Sequence, residues 1–275
     1  MRFAGSLFAA ISLAIAAPVA AQASGPALEQ VLADSRRDAD RVRDEYRHPA
    51  ETLAFFDVQP GMTVVDFMPA GGWFSRVLIP YLGDSGTYIG LNPGVPESMT
   101  GNMANMRNYA ANLPAQAQGW VGEEGARVIG ANSDTVPDEL AGTADRFLIF
   151  REMHNIRRLG WFHETMVTAR KLLKDGGMLG IEQHRAAPGQ PMSYVLGDNG
   201  YQREADVIAL LSAYGFELVG RSEINANPRD PANWERGVWS LPPVFSGAAE
   251  GSEERARRAA IGESDRMTLL FRKVA

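Results

Sequence analysis

Short, nearly continuous apolar runs alternate along this chain with longer segments whose apolar residues recur at helical spacing. The runs have the length and the β-branched content of buried strands. Seven are predicted as strands: "MTVVDF" from residue 62, "TYIGLN" from 87, "ARVIG" from 126, "DRFLIF" from 145, "MLGIEQ" from 178, "FELVGRSEI" from 216 and "RMTLLFRKV" from 266. Strands that are apolar on both faces predict a mostly parallel sheet covered by helices on both sides, an α/β fold.

Helically spaced stripes separate these runs. They predict helices over about 28–46, 50–56, 74–82, 103–111, 161–173, 204–214 and 253–260. Gly83 and Gly215 follow two of these helices directly, as C-terminal glycines commonly do. Because no convincing crossover helix separates the last two runs, we expect the last strand to be antiparallel, in a hairpin at the sheet edge.

The first residues predict export. "MRFAGSLFAAISLAIAAPVAAQAS" has a basic start, an apolar run too short to span a bilayer, and small residues that fit an A-x-A cleavage site. We interpret residues 1–23 as a signal peptide, the alternative being a short buried helix. Residues 24–275 then form a single domain, with a helical entry segment at 24–60 and a polar, lid-like insert at about 225–265. The mature protein would be periplasmic in a Gram-negative cell.

Composition and charge limit the kinds of partner and ligand that this protein is expected to bind. Acidic residues outnumber basic ones by 33 to 27, so no basic surface for nucleic acid is expected. The absence of cysteine excludes disulfides, thiolate nucleophiles and cysteine-ligated metals. The histidine spacing lacks H-E-x-x-H, and no metal site is predicted. No apolar run after residue 23 approaches 18 residues, so no transmembrane segment is expected in the mature chain, and the oligomeric state stays open.

The order of elements, the turn "VVDFMPAGGW" and the segment "LLKDGG" resemble the class I S-adenosylmethionine-dependent methyltransferases over most of residues 49–275. More narrowly, "PAGGWFSRVLIPYL", "LGIEQHRA" and "GVWSLPP" resemble a group of bacterial predicted methyltransferases that often carry signal peptides. The resemblance implies a Rossmann-like seven-stranded sheet and S-adenosyl-L-methionine as the cofactor.

In this family the first strand ends in an acid followed by G-x-G-x-G, whose glycines let the backbone approach the cofactor. Asp66 holds the acid position, but Met68 and Ala70 stand where the first two glycines are expected, and Gly71 and Gly72 complete the turn. A Cβ at a close backbone approach either displaces the ligand or demands a different turn. Cofactor binding and a merely structural turn therefore both stay open.

Two further cofactor positions follow from the resemblance. The acid that usually holds the ribose hydroxyls falls on Asn92, which hydrogen-bonds a diol without charge assistance and has the alternative of being a plain turn residue. After strand 3 the family often places a polar residue near the adenine. Asn132, Ser133 and Asp134 are the candidates here, and Asp134 is the prediction.

Polar side chains also follow the fourth strand, in "REMHNIRR", and the fifth, in "EQHRA". The carboxyl ends of parallel strands open on one rim, so we expect these groups to converge. A histidine suits proton removal from a hydroxyl or amine acceptor, with His184 the first choice and His154 the second. Glu152 and Arg185 are the other catalytic candidates. Each has a structural alternative, such as packing or an ordinary salt bridge with Glu182.

These observations predict an exported methyltransferase acting on an unknown small-molecule or envelope acceptor. Trp234 and Trp239 either line the acceptor site or anchor the insert by packing. One alternative is a non-catalytic periplasmic binding or scaffold protein with a degenerate methyltransferase fold, which the residues at 68, 70 and 92 favour. Another is a lyase or hydrolase that uses the two histidines without a methyl donor. The polar cluster after strands 4 and 5 favours catalysis.

Overall fold

The structure is a computed structural model that describes residues 25–274, so the predicted signal peptide lies outside the described residues. At its centre is a seven-stranded sheet with the strand order β3-β2-β1-β4-β5-β7-β6. The strands are β1 (Thr63–Phe67), β2 (Thr87–Asn92), β3 (Arg127–Asn132), β4 (Ala144–Phe150), β5 (Leu173–His184), β6 (Phe216–Ser222) and β7 (Arg266–Lys273). The first five are parallel to one another, and β7 is antiparallel to both of its neighbours. The predicted Rossmann-like sheet is confirmed.

The last two strands form the predicted antiparallel hairpin at the sheet edge, with β6 as its outer strand. β7 is not an edge strand, because it lies between β5 and β6. Its residues are buried on both faces over most of its length, whereas buried and exposed positions alternate along β6. The fully apolar strand therefore belongs inside the sheet, and the half-polar strand forms the edge.

Helices cover both faces of the sheet. They are α1 (Leu28–Leu32), α2 (Asp38–Arg41), α3 (Asp44–Arg47), α4 (Pro49–Phe55), α5 (Ser75–Leu82), α6 (Asn102–Arg107), α7 (Tyr109–Val121), α8 (Met153–Arg158), α9 (Phe162–Leu172), α10 (Met192–Val195), α11 (Glu204–Ala213) and α12 (Glu253–Ile261). The side chains of β1 alternate between two cores: Val64 packs with α4, α5 and α7, and Val65 packs with α8, α9 and α11. Within residues 25–274, no helix is both long enough and apolar enough to cross a lipid bilayer.

The predicted single helix over 28–46 is wrong. The chain forms three short helices and a 3-10 turn there, because the Asp34 carboxylate accepts a hydrogen bond from the backbone N–H of Arg36 at 2.8 Å and starts a new turn. Arg37 then points inward and pairs with Asp44 at 2.8 Å. The predicted helix at 103–111 is also too short, since α6 and α7 together extend to residue 121.

The insert after β6 packs against Tyr201, which precedes that strand, in a small separate apolar core formed by Tyr201, Ala232, Trp234, Val238 and Leu241. Asp230 organises this core, because its carboxylate accepts hydrogen bonds from the Tyr201 hydroxyl at 2.8 Å and from Trp234 Nε1 at 2.9 Å. Trp234 is therefore a packing anchor, which is one of the two alternatives that the sequence left open.

Candidate functional site

The turn after β1 adopts a left-handed backbone at every second residue. The φ angles of Met68, Ala70 and Gly72 are 54°, 49° and 75°. These are the three positions at which the methyltransferase pattern has glycine. A residue with a Cβ in this region costs about 1–2 kcal/mol, so the chain keeps a glycine-type turn although two of the glycines are replaced.

Asp66 lies beneath this turn and supports it through hydrogen bonds. Its side chain is only 1% exposed and accepts a hydrogen bond from the Tyr88 hydroxyl at 2.9 Å, with Ser75 Oγ at 3.5 Å. Burial raises the pKa of Asp66 to about 7, although the hydrogen bond from Tyr88 acts in the opposite direction. Asp66 thus joins β1, β2 and α5 beneath the turn, which positions the backbone above it.

The two glycines of the turn differ in their surroundings. A Cβ on Gly72 would lie 2.6 Å from the ring of Trp120, whereas a Cβ on Gly71 would meet no atom within 4 Å. Gly71 therefore borders open space at the mouth of the turn, and Gly72 is required by the packing of α7 against it.

The ends of β2 and β3 bring two buried amides side by side, because Asn92 and Asn132 are register partners. Asn132 Nδ2 donates a hydrogen bond to the carbonyl oxygen of Arg107 at 2.9 Å. Asn132 Oδ1 is buried and has no hydrogen-bond partner among the residues that the structure describes. An unpaired buried acceptor is costly, so this atom is suited to a donor supplied by a ligand.

The other two candidates after β3 lie differently. Ser133 Oγ accepts a hydrogen bond from the backbone N–H of Gly94 at 2.8 Å and is therefore engaged within the protein. Asp134 is exposed and lies against Gly94, where an added Cβ would come within 2.6 Å of its carboxyl carbon. Of the three residues considered at this position, Asn132 rather than the predicted Asp134 presents a free buried atom.

A cleft of about 200 Å³ opens beyond the ends of β4 and β5. The structure brings three of the four predicted catalytic residues to its wall: Glu152, His154 and His184. The ring centroids of the two histidines are 5.5 Å apart, and the Trp239 ring lies edge-on to His154 at 5.7 Å. The cleft is thus built by two strand ends and closed by the insert.

Burial makes the two histidines weak bases. Desolvation lowers the pKa of His154 to about 4, and the same cause, together with the neighbouring charges, holds the pKa of His184 well below its ordinary value. His184 Nδ1 shares a hydrogen bond of 2.5 Å with Ser264 Oγ. Burial raises the pKa of Glu152 to about 7, although Asn155 donates to its carboxylate at 2.7 Å. Glu152 is therefore the group best matched to proton transfer near neutral pH.

Arg185 is the predicted catalytic residue that the structure places outside the cleft. Its Nε donates to Asp265 at 2.9 Å, and its two terminal nitrogens donate to Glu223 at 2.9 and 2.7 Å. This guanidinium ties the end of β5 to the segments that flank the insert. In the part of the chain described here, no three His, Asp or Glu side chains are grouped as metal ligands.

Arg151, and not the predicted Arg185, is the arginine after a strand end that lines the cleft. It directly follows β4 with a left-handed φ of 63°, and its Nη1 lies 2.9 Å from Glu182 Oε2. The other oxygen of Glu182 lies 3.1 Å from Arg266 Nη1. Glu182 is fully buried and therefore joins two guanidiniums behind the wall of the cleft.

A second group of charges that sequence reasoning missed comes from the entry segment. Arg43 and Arg47 reach the cleft and share the carboxylate of Glu263, at 2.6 and 3.3 Å. Burial alone would raise the pKa of Glu263, but Arg266, Arg47 and Arg43 lower it to about 2. The spacing of Arg43 and Arg47, four residues apart, is the sequence signal that could have indicated a common partner.

Solved structures of three other proteins are similar to this chain. A SAM-dependent methyltransferase from Aquifex aeolicus has a similar structure, with a TM-score of 0.52 and 14% sequence identity over 90% of this chain and 99% of that one. A putative sarcosine dimethylglycine methyltransferase from Galdieria sulphuraria matches with a TM-score of 0.48 and 17% identity, over 91% and 92% of the two chains. Geranyl diphosphate C-methyltransferase from Streptomyces coelicolor, with S-adenosyl-L-homocysteine bound, matches with a TM-score of 0.49 and 14% identity, over 89% of each chain.

The similarity to the Aquifex protein shows that this chain has the Rossmann-like fold of methyltransferases. A scan against protein-family models gives no match, and neither does a search of curated proteins. The fold is therefore established by structure, and the activity has to be argued from the site itself.

Proposed function

We propose that the protein is an S-adenosyl-L-methionine-dependent methyltransferase that is exported and acts on a small molecule or an envelope component. The left-handed turn at Met68, Ala70 and Gly72 is the observation that carries this proposal. Strained backbone persists where the surrounding structure enforces it, and such strain is concentrated at functional sites. A turn that keeps its shape after losing two glycines supports a role for its backbone in holding a ligand.

The residues around the turn fit this cofactor. S-adenosyl-L-methionine, when bound, supplies a methyl group on a positively charged sulfur. The open side of the turn at Gly71 would face its methionine part, and Asn92 would hydrogen-bond the ribose hydroxyls. The unpartnered Oδ1 of Asn132 would accept a hydrogen bond from the nucleoside. Asp66 would position the backbone from below, without touching the ligand.

The cleft would supply the acceptor with a site away from water and with a base for its proton. Trp239 and His154 pack against each other at the wall of the cleft, where they would exclude water and align the acceptor, and these two effects account for much of the rate in a transfer of this type. An acceptor held in this cleft would take the methyl group through its lone pair, and the sulfur of the cofactor would keep the electrons of the broken carbon–sulfur bond. A hydroxyl or amine acceptor loses its proton to Glu152, whose pKa of about 7 suits this step. The neutral His184 remains a hydrogen-bond partner.

Titration calorimetry with S-adenosyl-L-methionine and S-adenosyl-L-homocysteine tests the cofactor. We expect one-site binding that becomes at least tenfold weaker in Gly71→Val, since the added side chain fills the mouth of the turn. Gly119→Val is the matched control, because a Cβ on Gly119 also meets open space but lies on α7. Failure of the folded wild-type protein to bind either compound would contradict the proposal and favour a non-catalytic binding or scaffold protein.

Export is supported by the basic start, the apolar run and the A-x-A pattern of residues 1–23. N-terminal sequencing of the protein recovered from a fractionated cell tests it. We expect the mature chain to begin at Ser24 and to be found outside the cytoplasm. Recovery of a cytoplasmic chain that still begins at residue 1 or 2 would contradict export without affecting the proposed chemistry.

A further inference from the structure

We propose that the methyl acceptor carries an anionic group, a carboxylate or a phosphate, which binds to the guanidiniums of Arg43, Arg47 and Arg151 in the cleft beyond β4 and β5. This inference rests on the proposed methyltransferase function, and it names the chemistry of a substrate that the fold alone leaves open. The arrangement of charges, the free hydrogen-bond donors and the shape of the wall each support it.

Positive charge exceeds negative charge around the cleft. Three guanidiniums line it, and a fourth, that of Arg266, lies behind it. Two carboxylates pair with these four groups: Glu182 joins Arg151 to Arg266, and Glu263 is shared by Arg43, Arg47 and Arg266. The third carboxyl group, that of Glu152 at the wall, is hydrogen-bonded to Asn155, and four guanidiniums still outnumber the three carboxyl groups. One carboxylate serving three guanidiniums leaves them short of counter-charge, which an anionic ligand would supply.

Arg47 shows this deficit most clearly. Its residue is only 4% exposed, yet the contact at 3.3 Å from Nε to Glu263 is the one hydrogen-bonded pairing its side chain makes within residues 25–274. Its guanidinium lies 4.6 Å from the centre of the Trp73 ring, which holds it in place at the wall of the cleft. Desolvation and the charge of Arg151 lower the pKa of Arg47 to about 8, in agreement with too little negative charge nearby.

Arg43 supports the same conclusion from a more exposed position. Its Nε donates to Glu263 at 2.6 Å, and its two terminal nitrogens make no hydrogen bond within the described part of the chain. Arg43 and Arg47 therefore offer planar N–H groups to the same cleft. Such groups bind the two oxygens of a carboxylate or phosphate in pairs.

Part of the lining is apolar, and the volume of the cleft limits the size of the ligand. Trp239, Pro242, Pro243 and Val244 form this apolar part. A volume of about 200 Å³ is smaller than the roughly 300–1,000 Å³ of sites for drug-sized ligands, so the site suits a body of about one aromatic ring. We therefore expect a small apolar acid or phosphate ester rather than a polymer.

Ligand-observed NMR titration with benzoate, phenyl phosphate and neutral benzyl alcohol tests the anion site, and each titration is made with and without saturating S-adenosyl-L-homocysteine. We expect one of the two anions to bind at least tenfold more tightly than benzyl alcohol, with S-adenosyl-L-homocysteine present. Arg47→Gln and Arg43→Gln should each weaken anion binding at least tenfold and change the affinity for S-adenosyl-L-homocysteine less than threefold. Arg41→Gln is the control, because its guanidinium bonds to carbonyl oxygens of the entry segment outside the cleft.

The outcomes separate the possible sources of the anion. Two outcomes would show that the guanidiniums hold the carboxylate of the cofactor, and either would overturn the inference. In the first, S-adenosyl-L-homocysteine displaces the anion. In the second, Arg47→Gln and Arg43→Gln weaken the binding of S-adenosyl-L-homocysteine instead of that of the anion. No preference for the anions over benzyl alcohol would also overturn it. If the anion binds but S-adenosyl-L-homocysteine does not, the proposed function fails while the anion site stands. Arg43→Gln keeps the test decisive if the more buried Arg47→Gln does not fold, since Arg43 is partly exposed.

Discussion

The turn after β1 and the cleft beyond β4 and β5 lie on the same rim of the sheet but are built in different ways. The turn is a short continuous segment whose property resides in its backbone, and it keeps a left-handed conformation at Met68 and Ala70 without glycine. The cleft draws its side chains from segments as distant as Arg43 and Ser264. A backbone site tolerates a change of side chain, whereas a site made of buried charges depends on each partner being present.

Removal of Glu182 should have the largest effect on stability. Glu182→Gln leaves the guanidiniums of Arg151 and Arg266 without their shared carboxylate in a buried place, so we expect a loss of about 3–5 kcal/mol in the free energy of unfolding. Denaturant titration measures this. Glu217→Gln is the matched control, because it breaks an exposed pair with Arg272, worth roughly 0–1 kcal/mol. Equal losses in the two variants would show that the charges of the cleft form no connected buried network.

The pH dependence of stability should reveal the buried acid beneath the turn. Burial raises the pKa of Asp66 from 3.8 to about 7 in the folded protein. Below pH 4 the carboxyl is protonated in both states. Between pH 4 and 7 it ionises in the unfolded chain but stays protonated in the folded one. The stability that it contributes is therefore present at low pH and is lost as the pH rises to about 7.

Asp66→Asn should remove this dependence. We expect the free energy of unfolding at pH 8, taken relative to that at pH 4, to be higher in the variant than in the wild type by roughly 2–4 kcal/mol, at 1.36 kcal/mol per pKa unit. Asp138→Asn serves as the control, because Asp138 is exposed and its pKa is lowered by Lys171, so the pH profile of the wild type should persist. An Asp66→Asn variant with the same pH profile as the wild type would contradict the burial of a protonated Asp66.

The sequence predicted the strands well because most of them are apolar runs that both cores cover, the half-polar edge strand β6 being an exception. It failed over residues 28–46, because the inward direction of Arg37 depends on a partner, Asp44, and helical periodicity treats a charged residue as exposed. The same limit applies to the cleft. Arg151 and Arg185 both follow strands, and local sequence does not tell which one faces the ligand. The difference depends on the left-handed backbone at Arg151 and on the carboxylates of Asp265 and Glu223, which bind Arg185 outside the cleft.

Substitution of the two adjacent glycines of the turn distinguishes a position needed for packing, Gly72, from one that borders open space, Gly71. Gly72→Ala combines a left-handed Cβ with a contact of 2.6 Å to Trp120, so we expect a loss of roughly 2–3 kcal/mol in thermodynamic stability. Gly71→Ala meets open space and should change stability by less than about 0.5 kcal/mol. Thermal or chemical unfolding of the two variants measures these losses of stability. A larger loss at Gly71 than at Gly72 would show that the packing of α7 against the turn has been assigned to the wrong residue.

The smallest expected effect tests the strain of the turn directly. Ala70 is exposed at a φ of 49°, so Ala70→Gly removes a left-handed Cβ worth about 1–2 kcal/mol and adds a backbone-entropy cost of roughly 0.5–1 kcal/mol. We expect a net gain of up to about 1.5 kcal/mol in the free energy of unfolding. Ala115→Gly, at an exposed position inside α7, should instead lose about 1 kcal/mol. The opposite signs follow from the same substitution in two backbone conformations. A loss at both positions would mean that the turn stores no strain, and its shape would then no longer support ligand binding.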